Sequence, residues 1–264
     1  MKTSAGSMVL YSTDSQSLFK QLRIASRLPS TIDIAIATQP NGPWSSDKSV
    51  PSVEWRLKAV AGDWRSAAAV YRDWLAANRP PVSNSNHTWV NNIRAVVQLG
   101  TRDPSILATL AAELTPSKTL LYLPNWRQYG YDVNYPDYPP ASDVASFVTK
   151  AHTLGFKVML HTDLIGVTPG NADYPSVQQW QLKDPGNLQL IGWLWNSPAS
   201  TPNRFAWIDP ASSVYRGLFI SRVGAAVTAL QPDALHLDVS APMFNDGNGL
   251  IGGMNYPQAV DRAK

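Results

Sequence analysis

Two short stretches, "LHTDL" at 160–164 and "LHLDV" at 235–239, end strand-like runs in the same way, with a histidine followed two residues later by an aspartate. Residues two apart on a strand share a face. His161 and Asp163 therefore point together, as do His236 and Asp238. If the two strands are neighbours, four polar side chains converge at one depth. Two chemistries suit such a cluster. A divalent metal accepts imidazole and carboxylate ligands. A glycosidase needs a carboxylate aimed at an anomeric carbon and braced by hydrogen-bonding neighbours. Each histidine also has an ordinary reading, as a core residue satisfied by a backbone partner. Asp238 is harder to dismiss, because a buried carboxylate without a partner is costly and this one closes an apolar run. Asp246, in "NDGNG", suits a turn but lies close enough in sequence to reach the same mouth as a second catalytic acid. Asp209, in "WIDPAS", reads as a helix N-cap.

Rings surround these acids in sequence. The loop "PNWRQYGYDVNYPDYPPAS" and the strand before it hold Tyr122, Trp126, Tyr129, Tyr131, Tyr135 and Tyr138, with Arg127, Asp132, Asn134 and Asp137 among them. Aromatic faces stack on the C–H faces of sugars while carboxylates and guanidinium take the hydroxyls; equally, the rings can pack the loop onto its own domain. A later segment, "GWLWNSPASTPNRFAWID", adds Trp193, Trp195, Phe205 and Trp207. Two such loops on one rim would wall an aromatic cleft. Other chemistries are excluded. The chain has no cysteine, hence no disulfide, thiolate–zinc site or cysteine nucleophile. It has no GxSxG, and "GNGLIGG" lacks the GK[ST] of a phosphate loop.

The elements that must position these groups follow from periodicity. Residues 8–60 carry β-type alternation in "MVLYST", "TIDIAIATQ" and "SVEWRLKAV". A helix follows, with Ala67, Val70, Tyr71, Trp74 and Leu75 at helical spacing and Pro80-Pro81 as its stop. The polar link "VSNSNHT" marks a domain boundary near residue 86. Strand and helix then alternate: "NIRAVVQLG", "DPSILATLAAEL", "KTLLYLPNW", "VASFVTKAHTLG" capped by Asp143 and ended by Gly155, "FKVMLHTDLIGV", an irregular insertion over about 168–208, a helix from Asp209 onward, and "DALHLDVSA". Apolar runs of this kind belong to parallel strands buried on both faces, joined by right-handed crossovers. A complete eightfold barrel takes about 250 residues. Residues 87–264 thus hold either the first half of a TIM-type (β/α)8 barrel or a smaller doubly wound sheet, preceded over 1–86 by part of a β-sandwich and a linking helix. Sites in both architectures lie at the C-terminal ends of the strands. The terminal "NYPQAVDRAK" starts another helix, so the chain is expected to be a piece of a longer one.

The 264 residues are 44% hydrophobic and 16% charged, a globular composition. Net charge is +3 without any run of Lys or Arg, which argues against nucleic acid as a partner. No apolar run approaches the ~18 residues of a membrane span. The start, "MKTSAGSMVLYSTDS", has no apolar stretch of signal-peptide length, so the compartment stays open.

Together "GDWRSAAAVYRDWL", "WRQYGYDVNYPDYPPA", "AHTLGFKVMLHTD", "IDPASSVYR" and "DALHLDVSAP" resemble bacterial glycoside hydrolases with an α-galactosidase-like barrel, in a multidomain branch of glycosidase-like proteins. The resemblance implies a β-sandwich before a (β/α)8 barrel and a nucleophilic aspartate ending the fourth barrel strand, here Asp238. It implies that His161 and Asp163 lie near the sugar's ring hydroxyls and that Trp126, Arg127 and Asp132 line the subsite of the non-reducing sugar. Tyr131, Trp195 and His236 are further candidate substrate contacts. The family's acid/base ends a later strand; Asp246 could replace it only by folding back over the cleft. The expectation is a retaining glycosidase acting on an oligo- or polysaccharide, without cofactor or metal, or a catalytic fragment of one that is weak or inactive for want of the later acid/base. The alternatives are a non-catalytic carbohydrate-binding fragment and a metal-dependent TIM-barrel hydrolase using His161, Asp163, His236 and Asp238. Half a barrel also leaves strand edges uncovered, so self-association is expected.

Overall fold

A computed structural model describes residues 2–3, 6–27, 31–44, 53–79, 85–195, 203–240 and 245–263. The first part is β-rich: β1 (Lys2–Thr3), β2 (Gly6–Ser12), β3 (Lys20–Arg27), β4 (Thr31–Thr38) and β5 (Trp55–Val60). β1, β2 and β5 form an antiparallel sheet, and β3–β4 a separate hairpin. β3 lies within the β-type stretch 8–60 but outside its three alternating segments. The pairing of Leu22 with Ile36 and Ile24 with Ile34 gives the hairpin an apolar face. That face and Leu10 and Leu57 of the sheet line one groove. α1 (Trp64–Asn78) starts where Asp63 accepts the Arg65 amide at 2.9 Å, and Tyr71 lays it against Tyr11 of β2.

A 3₁₀ segment (Ser85–Asn92) leads to β6 (Ala95–Gln98), α2 (Ser105–Glu113), β7 (Thr119–Leu123), α3 (Val144–Thr153) and β8 (Lys157–Asp163). Then come β9 (Gly166–Val167), α4 (Tyr174–Val177), β10 (Gly192–Trp195), β11 (Asn203–Trp207), α5 (Ser213–Leu230), β12 (Ala234–Asp238) and α6 (Tyr256–Ala263). β6, β7, β8 and β12 make a four-stranded parallel sheet in the order β12-β8-β7-β6. β7 and β8 are its buried centre: Leu121, Leu123, Val158 and Leu160 pack with Phe147, Val148 and Ala151 of α3 and Leu107 of α2. Burying each such side chain favours folding by about 1.5–3 kcal/mol, and the inward stripe of α3 is the apolar periodicity seen in its sequence. No helix among the described residues is long and apolar enough to cross a membrane.

Three local expectations need correction. The insertion is not irregular, because β10, β11 and β9 form a small antiparallel sheet. Asp143 precedes α3 but does not cap it with its side chain; Arg102 takes that carboxylate at 2.9 Å. Asp209 is not the cap of α5 either: Ser212 accepts the Tyr215 amide, and Asp209 is turned inward. The β-rich part is tied to the parallel sheet's loops. Asn245 donates to the Pro40 carbonyl, the Trp44 amide donates to Pro185, and Arg79 pairs with Asp261.

Phe147 is wholly buried between α3 and the sheet. Phe147→Ala should lower stability by about 3–5 kcal/mol in urea unfolding. A loss below about 1 kcal/mol would mean that α3 does not close the core.

Candidate active site

The parallel pairing of β12 with β8 sets His236 beside His161 and Asp238 beside Asp163. The neighbour relation that the sequence left conditional is therefore present. The Leu164 amide donates to the Asp238 carbonyl at 3.0 Å and carries the ladder one step past both acids. Val239 then adopts φ +52°, a left-handed conformation that is strained for a β-branched residue. Its amide donates to Asp238 Oδ1 at 2.9 Å. The side chain of Asp238 remains 42% exposed.

The neighbouring acid is held differently. Asp163 Oδ1 accepts the amides of Ile165 at 3.0 Å and Gly166 at 2.7 Å. A Cβ at residue 166 would come within 2.7 Å of Asp163 Oδ2, so any larger residue there would displace that carboxylate. Burial pushes Asp163 up to about 7; the two amides oppose this, while Asp132 and Asp238 add to it.

Asp238, Asp163 and Asp132 line one cavity of about 420 Å³, with Tyr131, Trp193, Phe205 and Trp207 as its aromatic wall. That volume lies in the range of small-ligand sites. Trp193 and Trp207 stack at 6.3 Å with 19° between planes, and Trp193 keeps nearly half its surface open. Asp132 sits at φ +59° on the loop after β7. Burial pushes its carboxyl up to about 6, helped by the charge of Asp238 and opposed by Arg127 and Tyr135.

Behind the cavity the aromatic loop is packed hard. Trp126 is fully buried, stacks on Tyr138 at 6.0 Å and donates its indole N–H to the His161 carbonyl at 2.7 Å. The Arg127 guanidinium lies 3.9 Å over the Tyr135 ring and donates to the carbonyls of Val133, Asp137 and Gly130. The expectation that Trp126 and Arg127 touch sugar is corrected on this ground: their surfaces and donors are already taken by the loop they shape. His161 is also buried, and Tyr122 Oη reaches its Nδ1 at 2.7 Å. His236 stacks on His161 at 5.4 Å between ring centroids and stays half-buried.

Asp246 is engaged elsewhere. Its Oδ1 accepts the amides of Lys183 and Asn248, both at 2.9 Å, and its Oδ2 accepts the Asn248 side chain at 3.1 Å. It lies beside buried Asp209, and burial pushes both carboxyls up. This pair pins the insertion that carries β10 and β11, a task its widely separated residues did not announce. Trp195 ends β10, and its side chain falls outside the described residues. Phe205 and Trp207, singled out in sequence only as rings, prove to be wall residues. No group of three or more metal-ligating side chains among the described residues is arranged to hold a metal ion, so the four-residue metal cluster is not formed.

A family model described as a domain of unknown function, DUF6259, matches residues 51–245. No curated protein matches the chain. The chain superposes on ligand-free α-N-acetylgalactosaminidase NagBb from Bifidobacterium bifidum with a TM-score of 0.69 at 13% identity, covering 99% of this chain and 48% of that one. Against the GH36 α-galactosidase AgaB from Geobacillus stearothermophilus the TM-score is 0.53 at 12% identity, covering 81% of this chain and 30% of that one. At such identities the likeness is one of fold, and this chain spans about half the length of NagBb.

The raised acid gives a signed expectation. Asp163 titrates near 3.8 when unfolded and near 7 when folded, so its contribution to stability is fully present below 3.8 and is lost as pH rises to about 7. Asp163→Asn keeps an oxygen for both amides and removes the charge. Its stability should therefore fall less than that of the wild type over this window in thermal unfolding; parallel curves would refute the assignment.

Proposed function

We propose that this chain, which belongs to the DUF6259 family, carries the nucleophile-bearing half of a retaining glycoside hydrolase, with Asp238 as the nucleophile. One observation carries the reading: the exposed carboxylate of Asp238 closes a parallel strand and opens into a ring-walled cavity of about 420 Å³. The fold shared with an α-N-acetylgalactosaminidase and an α-galactosidase supports the reaction class. In this reading residues 87–264 are the first half of a (β/α)8 barrel, and the β-rich residues before them are part of a β-sandwich.

The chemistry follows from the geometry. A sugar ring lies with its C–H face on Trp193 or Tyr131 and its hydroxyls toward Asp132 and Asp163. Asp238 attacks the anomeric carbon, the glycosidic C–O bond breaks, and a glycosyl ester forms through an oxocarbenium-like transition state. An acid protonates the departing oxygen. The same group then deprotonates the water that hydrolyses the ester and releases Asp238. A retaining enzyme needs this second carboxyl about 5–5.5 Å from the first. On the family resemblance it belongs to a later barrel strand; Asp246 is not assigned the role, because backbone amides hold it.

Two measurements bear on this. Against a panel headed by aryl α-N-acetylgalactosaminide and aryl α-galactoside, Asp238→Asn should lower turnover by about three orders of magnitude or more. Unchanged turnover would overturn the assignment. If the barrel is half complete, β6 and β12 present open edges, and Val96 on β6 is 59% exposed. Light scattering at micromolar concentration should then show self-association, and a clean monomer would count against the half-barrel.

A further inference from the structure

We infer that His161 is a positioning residue for Asp238, presenting a neutral Nε2–H donor to that carboxylate; the inference rests on the reading of Asp238 as nucleophile. Sugar contact was the sequence expectation, yet His161 is only 1% exposed. Its backbone carbonyl is fixed by the Trp126 indole, and its ring lies 5.0 Å from Tyr131 and 5.4 Å from His236, between centroids. The two ring nitrogens meet different surroundings. Nδ1 lies 2.7 Å from Tyr122 Oη and 3.3 Å from His236 Nδ1. Nε2 is buried without a hydrogen-bond partner and stands 4.0 Å from Asp238 Oδ2.

This asymmetry selects the tautomer. A proton on Nδ1 would leave a lone pair on Nε2 facing a carboxylate. A proton on Nε2 turns an N–H toward Asp238 and lets Tyr122 donate to Nδ1. Tyr122 is suited to donate, because burial and the charges of Asp238 and Asp132 push its pKa up to about 12. Burial pushes His161 down to about 4; Asp238 opposes this, whereas His236 and Arg127 add to it. The donor is thus neutral. It can orient Asp238 without forming an ion pair that would blunt the attacking oxygen.

At 4.0 Å the contact is not yet a hydrogen bond. Oδ1 of Asp238 is already tied to the Val239 amide, so Oδ2 is the atom with freedom to move. A shift of about 1 Å closes the contact, the kind of tightening that catalytic hydrogen bonds undergo when a reactant binds. The N–H then fixes the carboxylate plane during attack and receives the negative charge that returns to Asp238 when the ester hydrolyses.

Nitrogen NMR of the whole chain with isotope-labelled histidine reads the tautomer directly. The expected state of His161 across neutral pH is protonated at Nε2 and bare at Nδ1, becoming a mixture in Tyr122→Phe. In His161→Gln the amide nitrogen reaches the Nε2 position and keeps a donor toward Asp238, which His161→Asn lacks. In turnover, His161→Asn should lose between about tenfold and a hundredfold in kcat with KM little changed, and His161→Gln should recover most of it. A proton on Nδ1 in the wild type, or a kcat indifferent to the identity of residue 161 in variants that fold, would overturn the inference. If the variants do not fold, the wild-type tautomer still decides. If the wild type turns over no glycoside, the glycosidase reading fails while the tautomer result stands.

Discussion

Pairing of β12 with β8, residue for residue from Ala234–Met159 to Asp238–Asp163, is the constraint on which the site depends. A strand has period two, so a slip of one residue would send His236 and Asp238 to the opposite face and dissolve the cluster. The register is held from both ends. At the base, Asp233 accepts the Val158 amide, the Lys157 ammonium and the His152 ring. At the mouth, Leu164 donates to the Asp238 carbonyl. The apolar residues between make the slip costly, because the same two-residue period that aims the acids also aims Leu160 into the core.

Within that frame the cavity separates three carboxyls by environment. Asp163 is drawn inward onto two amides, Asp132 is held on a left-handed loop residue, and Asp238 alone keeps an open side chain. Burial, with crowding of like charge, raises Asp132 and Asp163 toward the neutral range, which makes each able to donate as well as accept a hydrogen bond. The loop after β7 packs on its own rings. Trp126, Tyr135 and Tyr138 form an internal stack with Arg127 over it, and that block holds Asp132 and Tyr131 at the rim.

The parallel strands and their terminal acids were legible in the sequence because each strand opens as an apolar run, so an aspartate closing it stands out. Their adjacency was not, since strand order is set by tertiary packing. Nor could residue type separate the rings: Trp126 and Trp193 are the same side chain, one buried under the loop and the other open on the cavity wall. Arg127 read as a sugar ligand because its carbonyl partners, within ten residues of it, are backbone atoms that carry no sequence signature. Asp246 is alike in this: it is held by the backbone amides of Lys183, in a distant loop, and of Asn248 beside it. The small sheet of the insertion was hidden by its short strands, and β3 by the charged residues Lys20, Arg23 and Arg27 interspersed in its sequence.

The most direct measurement is the intact mass of the protein after incubation with a slow deoxyfluoro galactosyl fluoride, followed by peptide mapping. Attack by Asp238 adds one fluorosugar per chain and places the ester on the peptide that contains residue 238. An ester found on another carboxylate, or glycoside hydrolysis that proceeds without any trapped intermediate, would contradict the account.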